Sequence, residues 1–395
     1  MTVPKFRFTF WKAVFLVIMV AGVYATYVRF AKGLGASTNL SDQFPWGLWI
    51  GFDVMCGVML AAGGFTLTAA VEIFNIKRWH AILRPTILTA FMGYVLVCAA
   101  LMYDLGLPWN IWHPLIMRNP HSVMFEVAYC VMLYTTVLAL EFSPIVFERL
   151  GWKRALRAVR SVMIVLVILG VLLSTLHQSS LGTLYLIMPN KLHAFWYSPL
   201  LPVFFYLSAI AVGLAMIIFE SSMSSKYFGR EIELPILRDI GRVLVVVLAI
   251  YGILRFEDLY HRGVLHLVFV PGYEQGFFLL EIFLSVLIPL ALLMVPKVRE
   301  SAQGLYLVAV LTLLGFVTNR LNVAITGVEN AVGARYTPKW TEVVITAMFV
   351  ALGFAIFGLA ARFLPIFPED KAHMPALPKL EGVRAEIAVP VHAGD

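Results

Sequence analysis

Ten stretches of this chain are each about 20 residues long, dominated by apolar side chains and nearly free of charge: 10–30, 49–72, 86–103, 122–142, 160–178, 199–221, 239–260, 274–294, 303–325 and 341–362. A helix rises about 1.5 Å per residue, so about 20 apolar residues cross a hydrocarbon layer about 30 Å thick. Backbone groups in hydrocarbon must be satisfied within the segment, so each stretch reads as a helix. The expected fold is an all-α polytopic membrane protein with about ten transmembrane helices. Hydrophobic residues make up 61% of the 395 and charged residues 13%, which excludes an ordinary soluble domain. The first apolar stretch is too long for the core of a signal peptide and is expected to be retained.

Charge then orients the helices. The N-terminal segment, the even-numbered loops and the C-terminal tail hold 21 of the 30 Lys and Arg residues, against nine on the odd-numbered loops and adjoining helix ends. Basic residues stay on the cytoplasmic side, so both termini are expected there. The net charge of +7 follows from this asymmetry and calls for no nucleic acid. Residues 1–365 read as one membrane domain, and the proline-rich 366–395 as a flexible cytoplasmic tail. Cys56, Cys98 and Cys130 are scattered through apolar stretches, without the tight spacing of a thiolate-held cluster.

Ionisable groups inside spans are costly and therefore informative. Toward the inner ends lie Glu72, Glu141 and Glu220, of which Glu141 and Glu220 border basic loops, as snorkelling carboxylates do. Toward the outer ends lie Asp53, Asp104, Glu126, His177, Arg255, Glu257, Glu281 and Arg320, near the aromatic Trp46 and Trp49. The sequence LLSTLHQSSLG (172–182) is the most unusual, with His177, Gln178, Ser179 and Ser180 in succession. A helix end solvated by its loop explains it, and so does a site for a polar head group arriving from the lipid. A quinone suits the second reading, since its oxygens need hydrogen-bond donors and its reduction takes up two protons. Asp104, Gln178, Trp46 and Arg255 would complete that site, and Glu126, Glu72 and Glu220 would mark a proton path. Of nine histidines only His177 falls arguably within a span. A bis-histidine haem needs two, so this chain is expected to hold no haem, and no iron–sulfur cluster of its own.

FPWGLWIGFD (44–53), AAGGF (61–65), FEVAYCVMLYTTVLALEFSPIVFERLGWK (125–153) and STLHQSSLG (174–182) together resemble the HybB branch of the NrfD/PsrC family, over about residues 15–365. The resemblance implies two four-helix bundles with flanking helices in a bacterial inner membrane. It implies binding of menaquinone or ubiquinone. It also implies two partners: a periplasmic ferredoxin-like iron–sulfur subunit, and a catalytic subunit such as a nickel–iron hydrogenase or another reductase. On this resemblance His177 sits at the quinone pocket, Asp104 is the acid after the third helix and Glu126 is a proton-path carboxylate. Outer loops longer than in polysulfide reductase anchors put other quinone contacts in doubt. Two other readings remain, a secondary transporter and a passive anchor for an extrinsic redox enzyme.

Overall fold

The computed structural model describes residues 9–367, so nearly all of the expected tail lies outside the described residues. Among the described residues there is no strand, and nine helices are long and apolar enough to cross a membrane. They are α1 (Phe10–Lys32), α2 (Trp49–Ile73), α3 (Lys77–Asp104), α4 (Val123–Leu150), α5 (Met163–Leu186), α6 (Leu201–Phe228), α8 (Tyr273–Met294), α9 (Ala302–Val332) and α10 (Trp340–Phe363). The tenth, α7 (Leu234–His261), is equally long, but it carries Asp239, Arg242, Arg255, Glu257 and Asp258.

Packing divides the helices into two groups. Helices α2 to α5 form one four-helix bundle and α6 to α9 a second, joined where α6 lies against α5 and α2 and where α9 lies against α2. Helices α1 and α10 pair with each other, and α10 also lies along α3. Lipid tails are as apolar as Leu, so association depends on close approach through small residues. At the seam between bundles, a Cβ on Gly213 of α6 would lie 2.8 Å from the Gly63 backbone nitrogen of α2. Within the second bundle, a Cβ on Gly315 of α9 would lie 2.1 Å from the Ser285 nitrogen of α8. The contact falls in a wide π-type turn of α8, Phe283–Leu287. Similar turns occur at Trp49–Cys56, Ala69–Ile73 and Asn322–Thr326.

The ends follow local chemistry. Ser122 opens α4 by accepting from the Phe125 nitrogen at 3.4 Å. Gly151 and Gly229 close α4 and α6 with φ of 70° and 66°, the left-handed region that glycine adopts without strain. The expected end of the fifth span near residue 178 is corrected. Helix α5 continues to Leu186, so His177, Gln178, Ser179 and Ser180 lie within it. The reason is that the polar run satisfies itself along the helix. Thr175, Ser179 and Ser180 donate to the carbonyls of Val171, Thr175 and Leu176 at 2.8, 2.6 and 2.8 Å, each four residues back. A helix therefore carries them without exposing a polar group to hydrocarbon.

The α8–α9 approach leaves no room for a side chain. Gly315→Val is expected to lower the thermal unfolding temperature in detergent, with an overpacking cost of about 1–3 kcal/mol or more. Gly358→Val, where an added Cβ meets nothing within 4 Å, should leave it unchanged.

Candidate functional site

His177 has no exposed surface. Its Nε2 pairs with the Tyr94 hydroxyl of α3 at 2.5 Å and its Nδ1 with the Leu173 carbonyl at 3.0 Å. Tyr134 of α4 packs edge-on against Tyr94, ring centroids 4.6 Å apart, and lies 5.6 Å from the His177 ring. Gln178 is equally buried and donates from Nε2 to the Val58 carbonyl of α2 at 3.0 Å. All four helices of the first bundle thus converge on this node. Gln178 and Ser174 lie within reach of Tyr94, and Ser174 also of Tyr134. Alignment is poor, however, and leaves Gln178 Oε1 and the Tyr134 and Ser174 hydroxyls without a well-formed hydrogen bond, and the Tyr185 hydroxyl two turns further along α5 also lacks one. Buried polar groups are nearly always paired. Three such groups along α5, with Tyr134 of α4 facing them, mark a place where a polar guest gains more than it loses.

The acids are distributed unevenly around this node. Glu126 of α4 lies 2.7 Å from the Ser180 hydroxyl, one turn from His177, and shares its single hydrogen with the Leu176 carbonyl. Glu220 of α6 is buried and borders a narrow crevice with Thr86 and Thr89 of α3 and Gly63 and Gly64 of α2. One of its oxygens is unpartnered. Thr89 precedes Tyr94 by five residues, about 8 Å along the helix. Glu72 is exposed at the end of α2, within electrostatic reach of the buried Glu141. No hydrogen bond joins Glu126, Glu72 and Glu220 directly among the described residues.

Asp104 is not brought to His177. It ends α3, ten residues beyond Tyr94, about 15 Å along the axis. Its neighbourhood is a second polar cluster beneath the α1–α10 pair. There Arg29 donates to the Tyr103 and Leu105 carbonyls at 2.5 and 2.6 Å, within electrostatic reach of Asp104. Asp53 accepts from Thr346 at 2.7 Å. Glu342 accepts from the Tyr336 hydroxyl and from the Asn39 nitrogen. Burial and that bond to Glu342 raise the Tyr336 phenol above its ordinary range. Trp49 belongs here too, donating to the Glu342 carbonyl at 3.3 Å. Trp46 instead sits edge-on over Tyr185 at 5.6 Å, on the helix of His177.

Arg255 lies in the second bundle, where Glu281 of α8 collects donors. Trp196 Nε1, Asn319 Nδ2 and Asn322 Nδ2 reach the Glu281 carboxylate at 2.8, 2.8 and 2.7 Å, with Arg255 at 3.9 Å. Arg255 donates to the Phe195 carbonyl at 2.9 Å, and Asp258 accepts from Ser198 at 2.6 Å. These bonds clamp the 187–200 connection onto the second bundle. His193, in that connection, is held below the ordinary histidine range by burial, with Glu274 opposing. Arg320 stacks on the Phe205 ring at 3.6 Å and donates to Ser208 at 2.8 Å. Sequence reasoning missed Tyr94, Tyr134 and Tyr185, whose only signal was a phenol inside an otherwise apolar stretch.

The family model described as polysulphide reductase, NrfD, matches residues 36–332. The chain belongs to the NrfD family. A Nitratidesulfovibrio vulgaris protein is 41% identical, covering 89% of this chain and 93% of its own. The probable Ni/Fe-hydrogenase 2 b-type cytochrome subunit of Escherichia coli is 37% identical, over 87% and 88%. The menaquinone reductase integral membrane subunit of N. vulgaris is 29% identical, over 92% and 93%.

The name of the E. coli relative overturns the expectation of a haem-free chain, because it designates a b-type cytochrome subunit. That expectation rested only on counting imidazoles within spans, which tests bis-histidine ligation and nothing else. Among the described residues His177 is the one buried histidine, and both its ring nitrogens are engaged. The described residues therefore do not present a facing pair of imidazoles to a haem iron.

Removing the Glu281 carboxylate would strand Arg255, Trp196, Asn319 and Asn322 in a dry interior. Glu281→Ala is expected to destabilise by about 3–5 kcal/mol, seen as a large fall in thermal unfolding temperature. Glu281→Gln, which keeps an acceptor, should lose less.

Proposed function

We propose that this chain is the quinone-binding integral membrane subunit of a respiratory oxidoreductase complex in a bacterial inner membrane. It exchanges electrons between a periplasmic iron–sulfur subunit and the quinone pool, with a hydrogenase or another reductase as catalytic partner. The names of its relatives support the class. One is a hydrogenase subunit, one a menaquinone reductase subunit and a third a menaquinol oxidoreductase subunit. The observation that carries the reading is the buried His177–Tyr94 pair with the poorly satisfied polar groups of Tyr134, Ser174, Gln178 and Tyr185 beside it.

The chemistry follows from those groups. A quinone carbonyl accepts hydrogen bonds, and the Tyr185 and Tyr134 hydroxyls have hydrogens to offer, while the Tyr94 hydroxyl gives its own to His177 Nε2. Reduction of the quinone by two electrons consumes two protons, and oxidation releases them. A histidine joined to a tyrosine can give up or take a proton at Nε2 while Nδ1 stays anchored on Leu173. Trp46 over Tyr185 closes the aromatic rim, and Gln178 holds α5 to α2. Asp104 and Arg255 bear on the site through the packing of α3 and of the 187–200 connection. Protons reach the pair along Glu220 and the Thr89 crevice from one end and along Glu126 and Ser180 from the other, with Glu72 at the mouth. Both termini lie in the cytoplasm on this reading, in keeping with the distribution of basic residues.

His177→Ala is expected to abolish quinone-linked turnover by the assembled complex, while the catalytic partner still reduces an artificial dye. Normal quinone turnover would return His177 to a packing role. Glu126→Gln keeps the bond to Ser180 and removes ionisation. It should lower quinone-linked turnover or charge movement in proteoliposomes at least severalfold with assembly intact, and unchanged coupling would take Glu126 out of the proton path.

A further inference from the structure

Between α4 and α5 the chain makes a short helix, Lys153–Ser161, of sequence KRALRAVRS. It joins the ends of two adjacent spans, so it lies at the membrane surface. At about 100° per residue, Lys153, Arg154, Arg157 and Arg160 fall within an arc of about 120°. Ala155, Leu156 and Val159 occupy the opposite arc, and Leu156 is buried. The helix is fixed at its far end, where Arg160 meets Glu148 at 2.5 Å, a carboxylate shared with Arg84 at 2.9 Å.

The other three cations differ from their neighbours. At the same end of the bundles, Arg78 and Arg242 are paired with Asp239 at 2.7 and 3.0 Å, and Arg84 and Arg160 with Glu148. No carboxylate of the described residues lies within ion-pair distance of Lys153, Arg154 or Arg157, and all three are exposed. Beside them Trp152 is 57% exposed, stacked on Phe147, and Val162, Ile164 and Val165 at the start of α5 are also exposed. A basic face over an apolar face, next to an interfacial tryptophan and lipid-facing aliphatics, suits one occupant. Its phosphate meets the cations and its acyl chains lie along α5.

We infer that the Lys153–Ser161 helix is a binding site for an anionic phospholipid, with Lys153, Arg154 and Arg157 on the headgroup phosphate and Trp152 at the glycerol level. The site sits at the turn of the α4–α5 hairpin, the pair that carries Glu126, Tyr134, Ser174 and His177. Bound lipid therefore braces the two helices that build the node. The inference stands independently of the quinone reading, because nothing in it requires a redox partner.

The test places the full chain in nanodiscs of equal phosphatidylglycerol and phosphatidylcholine and counts retained lipids by native mass spectrometry. Each basic side chain at an anionic surface contributes about a fivefold preference, so Lys153→Gln/Arg154→Gln/Arg157→Gln should lower phosphatidylglycerol retention about a hundredfold. Thermal unfolding in phosphatidylcholine alone should match the wild type, showing that the variant is folded. Lys297→Gln/Arg299→Gln, which removes charge from another loop, should keep the preference. The idea fails if the triple variant retains phosphatidylglycerol as well as the wild type, or if the Lys297/Arg299 variant loses as much. Displacement of the lipid by excess inorganic phosphate would reassign the patch to a free anion. A severalfold rise in retention on deleting residues 368–395 would reassign it to that segment.

Discussion

A polar group in hydrocarbon has no water to turn to, and the rest of this structure depends on how that constraint is met. In α5 the answer lies within the helix itself. Thr175, Ser179 and Ser180 bond back to carbonyls four residues earlier, so a run that reads as a helix end passes through the bundle unbroken. Only because their hydroxyls are already spoken for can His177 and Gln178 face inward and meet α3 and α2. In the second bundle the answer is collective, with one carboxylate, Glu281, serving donors from α7, α9 and the 187–200 connection.

The two solutions give the bundles different characters. In the second, the network around Glu281 is dense: both its carboxylate oxygens collect donors, and Arg320 is held by Ser208, Asn319 and a ring face. Such a network resists rearrangement, since losing one member exposes the rest. The first bundle keeps poorly satisfied hydroxyl and amide oxygens around a histidine. A dense charged network beside a histidine node with spare hydrogen-bonding capacity is an arrangement that keeps a frame still while its occupant changes.

The spans were legible because a bilayer demands about 20 apolar residues whatever the fold. The end of α5 was not, because a hydroxyl bonding to its own helix leaves no mark on hydropathy. Depth was legible and bearing was not. His177, Asp104 and Arg255 all read as outer polar groups, yet they face three different neighbourhoods, since rotation about the bundle axis is set by packing. Tyr94, Tyr134 and Tyr185 escaped notice for a related reason. A phenol is apolar enough to pass as membrane-belt material, and its importance emerges only when the partner from another helix is known. Glu126 was legible as a lone acid near a helix start, but its tie to Ser180 was not.

The pairing of α1 with α10 bears on how the protein is made. Helix α1 has its main partner in α10, with both bundles synthesised in between. Until α10 arrives, α1 stands in lipid with most of its surface bare, and Asp53 lacks the hydroxyl of Thr346. Glu342, which gathers the 333–342 segment and Asn39 around it, is delivered on that same helix. The α1–α10 pair therefore acts as a latch: it covers one flank of the first bundle and satisfies Asp53 and the 333–342 segment in one step.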